Sequence, residues 1–278
     1  MKRLVLIAAF CLLLSTQACE DIETGKAEGI NKSGNSELSS KIIDYQNFYC
    51  DDTSADARRL YTKGEQLDVR GNLDGAKEAY ISAINIAPEF CDAMDNLGLI
   101  YRREGNTSTA IEYYLRSLSI APTNTIAIGN LAVAYEAQGK LEKARTMYEK
   151  LIIVDENNPE GYYGLGRLQF DMEQYEDAIK DLYKAAEIYH NLKSPHIVDA
   201  YALLGFSLYK LNNCSAAVDY FSRSYSAYSD NAEINYYLGI CLYSSQISQT
   251  KMSSKPYLKK ASELGVQLPD EILEFIYQ

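Results

Sequence analysis

The sequence predicts an all-α fold in which short helices form six helix-turn-helix repeats followed by a closing helix. Three observations predict it. Small residues recur with a period of 34, a second series of small residues follows twelve positions later, and glycines fall between the two series. A period of this length is typical of stacked helical hairpins, each of which buries its apolar face against its neighbours.

The first series of small residues holds one place in each repeat. The spacing is 34 residues except for a single gap of 39. Because two helices approach closely only where their side chains are small, we expect these residues at the crossing point on the first helix of each pair. They are Gly64, Gly98, Ala132, Gly166, Gly205 and Gly239.

The second series lies on the second helix and is followed, four residues later, by a large apolar residue. We expect the large residue to fill the gap to the neighbouring pair. The small members are Ala76, Ala110, Ala144, Ala178 and Ala217, with Ser254 in the sixth copy if three extra residues are allowed there. The large members are Tyr80, Tyr114, Tyr148, Leu182, Phe221 and Leu258.

Glycines and prolines mark the ends of the predicted helices. Gly71, Gly105 and Gly139 stand between the helices of the first three copies, where glycine permits a left-handed helix cap. Pro88 and Pro122 follow second helices. The same pairing of helices is therefore expected along most of the chain.

This pattern resembles the tetratricopeptide repeat family. The second copy matches best, through Met94, Leu97, Gly98, Tyr101, Ala110, Tyr114 and Pro122. The resemblance implies a right-handed superhelical solenoid with a concave groove that binds a protein or peptide. Its copies are 57–90, 91–124, 125–158, 159–192, 198–231 and 232–268, with an insertion at 193–197, an N-terminal cap segment at 42–56 and a C-terminal capping helix at 269–278.

The family directs the second, fifth, ninth and twelfth residues of each copy into the groove. In the first three copies these are mixed and include Arg58, Tyr61, Glu65, Asp92, Asp95, Leu99, Arg102, Ile126, Gly129 and Val133. In the last three they are largely aromatic and include Tyr163, Arg167, Phe170, Phe206, Tyr209, Tyr236, Ile240 and Tyr243. One interpretation is a protein-binding site with aromatic anchors and Arg167 as a charged contact. The alternative is that the rings pack against one another.

Some family members hold a C-terminal carboxylate with Lys and Asn in the groove. Here Tyr61 and Glu65 stand at the first such pair, so this clamp is not expected.

The first nineteen residues predict an export signal and a lipid anchor. Lys2 and Arg3 precede an apolar run, residues 4–14, that is too short to span a bilayer, so 1–18 is a predicted signal peptide. Cys19 resembles the acylated cysteine of bacterial lipoproteins; Ala18 fits that cleavage box, whereas Gln17 and Thr16 fit poorly. The alternative is plain secretion after Ala18. Residues 19–41 predict a flexible tether, and the lipoprotein interpretation places the chain at the bacterial outer membrane or in the periplasm.

The charge excludes some partners. The formal net charge is −11, and loss of Lys2 and Arg3 with the signal leaves 25 basic against 38 acidic residues, or −13. Such a chain repels phosphate backbones, so nucleic-acid binding is not expected. Without a basic face, membrane attachment is expected through the lipid alone.

Four cysteines remain outside the signal and the lipid site: Cys50, Cys91, Cys214 and Cys241. They admit three pairings, of which the stacking of the repeats favours Cys50–Cys91 and Cys214–Cys241. The alternative is four buried small residues. No cysteine spacing indicates zinc, and His190 and His196 lack metal-binding company, so no metal or cofactor is expected. No catalytic motif is found, so the chain is not predicted to be an enzyme.

These inferences predict an adaptor or scaffold that is tethered to the bacterial envelope and helps to assemble an envelope complex through its groove. The architecture resembles the type IV pilus pilotin lipoproteins, which combine a lipid anchor with six such repeats. Two alternatives stay open: a docking regulator of an envelope protease or peptidoglycan hydrolase, and a surface-exposed binder of external proteins. The sequence does not indicate an oligomeric state.

Overall fold

Every regular element in the described part of the chain is a helix. The computed structural model describes Cys50 and residues 54–278. The predicted signal peptide, Cys19, the tether and most of the predicted N-terminal cap lie outside the described residues. The helices are α1 (Ala55–Val69), α2 (Leu73–Ile86), α3 (Cys91–Arg103), α4 (Thr107–Ile120), α5 (Thr125–Ala137), α6 (Leu141–Val154), α7 (Pro159–Asp171), α8 (Tyr175–Asn191), α9 (Ile197–Lys210), α10 (Cys214–Tyr228), α11 (Ala232–Tyr243), α12 (Ser248–Met252), α13 (Lys255–Glu263) and α14 (Asp270–Tyr277).

The helices pack as six consecutive pairs. Each first helix contacts its own second helix, from α1 with α2 to α11 with α13, and each second helix up to α10 contacts the next first helix. First helices also contact each other directly, as α3 does α5 and α9 does α11. The predicted solenoid of helical hairpins is therefore confirmed. Within the described residues, no helix is both long and apolar enough to cross a membrane.

The periodic small residues lie where the helices of a pair cross. A Cβ added to Gly98 would come within 2.7 Å of the Tyr114 ring, and one added to Gly205 within 2.7 Å of the Phe221 ring. The large residue covers the small residue of its own pair and also fills the gap to the next pair, as predicted, because a Cβ added to Gly164 of α7 would clash with the Tyr148 ring of α6. The Tyr80 hydroxyl also reaches the next pair, where it accepts a hydrogen bond from Asn96 Nδ2 at 3.3 Å.

The helix ends follow from local sequence. Gly71, Gly105 and Gly139 have φ values of 74°, 80° and 70°, which glycine adopts at little cost. Asn106 then caps α4, because its side-chain oxygen accepts the backbone N–H of Thr109 at 3.3 Å. Asn72 caps α2 in the same way, so one turn type serves successive repeats.

Three boundaries differ from the predicted copies. The first helix begins at Ala55, two residues before the predicted repeat, because Ser54 caps it. The insertion is partly taken up by α8, which has 17 residues where α6 has 14. In the sixth repeat the short helix α12, which was not predicted, precedes α13. The buried Ser254 takes the small position there, so the predicted three-residue slip is correct.

The last helix closes the stack. Ile272 and Ile276 of α14 are buried in one cluster with Leu258 of α13 and Leu268. These residues cover the apolar face of the sixth pair, as the end of a solenoid requires.

Candidate functional site

The candidate site is the row of first helices, α1, α3, α5, α7, α9 and α11. We call the second, fifth, ninth and twelfth residues of each repeat the groove positions. They recur at helical spacing, so in each repeat they share one side of the first helix. Successive first helices contact one another, and side-chain hydrogen bonds join α1 to α3 and α5 to α7, so these sides form a continuous surface.

The aromatic groove positions of α7 and α9 contact other rings. The Phe206 ring centroid lies 5.0 Å from that of Phe221 and 6.5 Å from that of Phe170. Tyr163 meets Tyr189 edge-on at 6.2 Å. All of these groove residues are half-buried, so each contributes to the packing and keeps part of its surface exposed.

Tyr237 joins the aromatic residues of the last two repeats and was not among the predicted site residues. Its ring centroid lies 4.6 Å from that of Tyr209, 5.1 Å from that of Tyr236 and 5.5 Å from that of Phe206. Tyr237 holds the sixth position of its repeat. The repeat register could have revealed it, because Asn96, at the same position of the second repeat, also reaches back to the preceding pair.

The groove positions of α11 lie against the C-terminal segment. Tyr236, Ile240 and Tyr243 all pack on the cluster that contains the apolar face of α14. The Tyr243 hydroxyl donates to Glu271 at 2.9 Å, and its ring lies 5.0 Å from the Phe275 ring. These predicted contact residues therefore also hold the capping helix in place.

Arg167 forms an ion pair across two repeats. Its Nη2 donates to Glu136 Oε2 at 2.6 Å and to the Tyr148 hydroxyl at 3.2 Å. The side chains of Arg167 and Glu136 are only 18% and 14% exposed. Burial raises the pKa of Tyr148, which stays a neutral partner. Arg167 thus links α7 to α5, and a role in binding would add to this structural role.

The central repeats contain a buried carboxylate. Asp95, at the fifth position of α3, is 3% exposed. Its Oδ2 accepts a hydrogen bond from Asn124 Nδ2 at 2.6 Å, and Asn124 Oδ1 accepts the backbone N–H groups of Ile126 and Ala127 at the start of α5. Asp95 Oδ1 has no hydrogen-bond partner among the described residues. The carboxylate therefore lies beside the first turn of α5 with one oxygen unsatisfied.

Further carboxylates surround Asp95. Burial, and then the charge of Asp92, raise the pKa of Asp95 to about 7, although the neighbouring polar side chains of Ser117 and Asn124 oppose the change. Burial also raises the pKa of Glu65, and Asp92 adds to that rise. We call Glu65, Asp92 and Asp95 the acidic cluster. All three are groove positions of α1 and α3.

An apolar strip follows along α5. Ile126, at the second position, is 54% exposed, and Val133, at the ninth, is half-buried. Between them, a Cβ added to Gly129 would fit without a clash, because its one neighbour, Leu151 Cδ2, would lie at an ordinary contact distance of 3.7 Å. Leu99 of α3 is half-buried as well. Gly129 thus differs from the crossing glycines, which have no room for a side chain.

The four cysteines form two bonded pairs. Cys50 is joined to Cys91, with Cα atoms 6.0 Å apart, and Cys214 to Cys241, with Cα atoms 4.9 Å apart. These are the pairs that the stacking of the repeats favours. Asp92 lies near Cys50 and Cys91, but thiols bonded to each other are not metal ligands. His196 Nδ1 lies 3.4 Å from Asp199.

Stacked helix pairs that present one row of first helices define the class of helical-repeat interaction scaffolds. The sequence profile of the tetratricopeptide repeat matches residues 89–157 and 157–230, together just over half of the chain. The chain belongs to the tetratricopeptide repeat family, whose members bind protein or peptide partners in a groove. No curated protein matches the sequence at a significant level.

Solved structures show the same fold at low sequence identity. Pseudomonas aeruginosa PilF is 22% identical, with a TM-score of 0.55 over 64% of this chain and 78% of its own. MamA from Desulfovibrio magneticus RS-1 is 16% identical, with a TM-score of 0.55 over 64% of this chain and 98% of its own. YrrB, described as a tetratricopeptide repeat protein with an unusual peptide-binding site, is 21% identical, with a TM-score of 0.55 over 72% of this chain and 97% of its own.

Proposed function

We propose that this chain is a non-enzymatic adaptor of the bacterial envelope, anchored by a lipid on Cys19, that binds a partner protein in its groove and helps to assemble an envelope complex. The observation that carries the proposal is the continuous row of groove positions on α1 to α11. The row combines half-buried rings with exposed apolar and acidic side chains. Such mixed surfaces with aromatic anchors are typical of protein-binding sites.

The aromatic residues of α7 and α9 support binding in the C-terminal half of the groove. Tyr163 and Tyr209 are half-buried and supported by neighbouring rings, so they are held in place before a partner arrives. Little conformational entropy is then lost on binding, which favours affinity. YrrB, with its peptide-binding site, has the same fold.

The envelope location rests on the first nineteen residues, with their basic start, apolar run and Ala18-Cys19. The resemblance to the pilotin lipoproteins supports an assembly role. A tether at residues 19–41 would let the repeats reach a partner at some distance from the membrane surface.

The anchor is tested by metabolic labelling with an alkyne fatty acid. We expect the full-length chain to be labelled and to sediment with membranes, and the Cys19→Ala variant to lose both properties. Labelling that persists in Cys19→Ala would refute the lipid site. A soluble, unlabelled wild-type chain would indicate plain secretion after Ala18.

The groove is tested by co-purification from detergent-solubilised envelopes. The full-length chain is compared with a groove variant, Tyr163→Ala with Tyr209→Ala, and with a control, Tyr183→Ala with Tyr220→Ala, on the second helices α8 and α10. Circular dichroism establishes that all three are folded. We expect a partner that the control retains and the groove variant loses.

The identity of the partner separates the alternatives. A component of an envelope assembly supports the proposal, and a protease or peptidoglycan hydrolase supports the docking regulator. A chain that retains no envelope protein but binds externally added proteins would contradict the adaptor function. A partner retained equally by both double variants would show that binding does not use this part of the groove.

A further inference from the structure

We propose that the N-terminal half of the groove, formed by α1, α3 and α5, holds an extended segment of the partner in which a Lys or Arg side chain enters the acidic cluster and adjacent apolar side chains cover Gly129. This inference rests on the proposed binding function and names the chemistry of the partner. It adds a contact in the first three repeats to the one proposed for the aromatic residues of α7 and α9.

Gly129 is the first observation. Glycine within a helix is unfavourable unless a close approach requires it. The crossing glycines have such a requirement within the chain, as Gly98 does beneath Tyr114. No such close approach within the chain explains Gly129, because an added Cβ would lie 3.7 Å from its nearest neighbour. Gly129 stands at a groove position by its register and has no side chain, so a partner chain can approach the helix closely there.

The apolar residues on either side of Gly129 suit such a partner. Ile126, Gly129 and Val133 are spaced three and four residues apart, so they form one stripe of α5. Ile126 is 54% exposed in the first turn of a helix that otherwise buries its large aliphatic residues Ile128 and Leu131. Leu99 stands at the ninth position of the neighbouring helix α3. An apolar side chain of the partner laid over Gly129 would contact this strip.

The unsatisfied carboxylate is the second, independent observation. A buried polar atom without a hydrogen bond is costly and requires an explanation. Asp95 Oδ1 is such an atom, and Asn124 holds the other oxygen beside the turn that carries Ile126. The charge that acts on Asp95 comes from Asp92, another carboxylate. A cationic donor would satisfy the oxygen and reduce the repulsion within the acidic cluster.

A second carboxylate oxygen without a hydrogen bond lies at the other end of the apolar strip on α5. Glu136, at the twelfth position, bonds Arg167 through Oε2, while Oε1 is buried without a hydrogen-bond partner among the described residues. Ten residues of helix separate Ile126 from Glu136, about 15 Å. An extended chain covers that distance in four or five residues at ~3.3 Å each. The occupant is therefore a short extended segment with a basic side chain at the acidic cluster and, in its best form, a second one near Glu136.

The probe is a phage-displayed library of random octapeptides, selected against the full-length chain in detergent micelles. We expect enriched peptides to carry Lys or Arg beside two or more apolar residues, often with a second basic residue four or five positions away. The strongest peptide is then made synthetically with a fluorophore, and its dissociation constant is measured by anisotropy.

Four variants locate the peptide. Gly129→Phe places a large side chain at this groove position and is expected to weaken binding at least tenfold, whereas Ile153→Phe, on the 83% exposed position of α6 in the same repeat, leaves it unchanged. Asp95→Asn keeps the shape of the side chain and removes its charge, and a loss of roughly tenfold is expected. Asp92→Asn serves as a second charge variant, should Asp95→Asn fail to fold by circular dichroism.

Each outcome decides the inference. Basic peptides that lose affinity with Gly129→Phe and with the charge variants support it. Peptides without basic residues, or binding that withstands Gly129→Phe, overturn it. Failure to enrich any peptide also overturns it. The proposed function fails separately, when the envelope co-purification described above finds no partner that depends on the groove.

Discussion

Gly98 lies beneath the ring of Tyr114, so close that a Cβ on residue 98 would come within 2.7 Å of that ring. Both residues are buried, and the two helices of the second repeat cross at this point. We expect Gly98→Ala to lower the free energy of unfolding by about 1–3 kcal/mol, because the ring must move from a packed position. Urea denaturation followed by circular dichroism measures the change.

Gly129→Ala is the matched control for that prediction. A Cβ at residue 129 fits without a clash, and alanine has a higher helix propensity than glycine. The free energy of unfolding should therefore rise by up to ~1 kcal/mol. If the two substitutions had equal effects, glycine at the crossing would not be a packing requirement.

Loss of the Cys214–Cys241 bond should destabilise the last two repeats. The bond joins α10 to α11 across a sequence separation of 27 residues. A loop of that length corresponds to roughly 3.5 kcal/mol of unfolded-state entropy, so replacing both cysteines by Ser should lower the free energy of unfolding by about that amount. Reductant should lower the stability of the wild-type chain, in which it can cleave both bonds. In the variant, only the Cys50–Cys91 bond of these two is left for the reductant to cleave. Alkylation of Cys214 and Cys241 in the unfolded, unreduced chain would contradict the pairing.

Asp95 should make stability depend on pH. Its pKa is about 7 in the folded chain, against about 3.9 for an unperturbed aspartate. The folded chain therefore binds more protons between these values, and the contribution of Asp95 to stability falls as the pH rises from about 4 to about 7. Asp95→Asn should be more stable than wild type above pH 7, by no more than about 4 kcal/mol, and this advantage should vanish near pH 4.

Thermal denaturation at several pH values tests that prediction. If the stability advantage of Asp95→Asn over wild type instead grew toward low pH, the raised pKa of Asp95 would be contradicted.

The capping helix should be essential for the sixth repeat. Ile276 is buried against Leu258 and Leu268, whereas the adjacent Tyr277 is 65% exposed. Ile276→Ala should cost about 2–4 kcal/mol, and Tyr277→Ala should stay within about 0.5 kcal/mol. Equal effects in thermal denaturation would mean that α14 does not cover the stack.

The fold was predictable because its packing is periodic. A small residue at each crossing and a large residue over it are requirements of the helix pair, and they leave a 34-residue pattern such as Gly98 and Tyr114. Helix α12 was not predictable from that pattern. It occupies the extra residues of the sixth repeat and has no counterpart in the other five.

The site was less predictable because the register gives the side on which a residue lies and not what it touches. The register places Phe206, Tyr209 and Tyr243 on the groove side of their helices, but their packing on Tyr237 and Phe275 depends on the separation of neighbouring repeats. The hydrogen bond between Asp95 of α3 and Asn124, which caps α5, spans 29 residues and likewise leaves no local signal.

The most direct test of the central claim, that a partner occupies the groove, is site-specific photo-crosslinking in the native envelope. Benzoylphenylalanine replaces Ile126 on α5 in one full-length variant and Ile153 on α6 of the same repeat in another. Both positions are exposed, at 54% and 83%, and they lie on the first and second helix of one pair. We predict that position 126 captures one defined protein and that position 153 does not. Capture at position 153 alone would contradict the claim and place the interaction on the second helices.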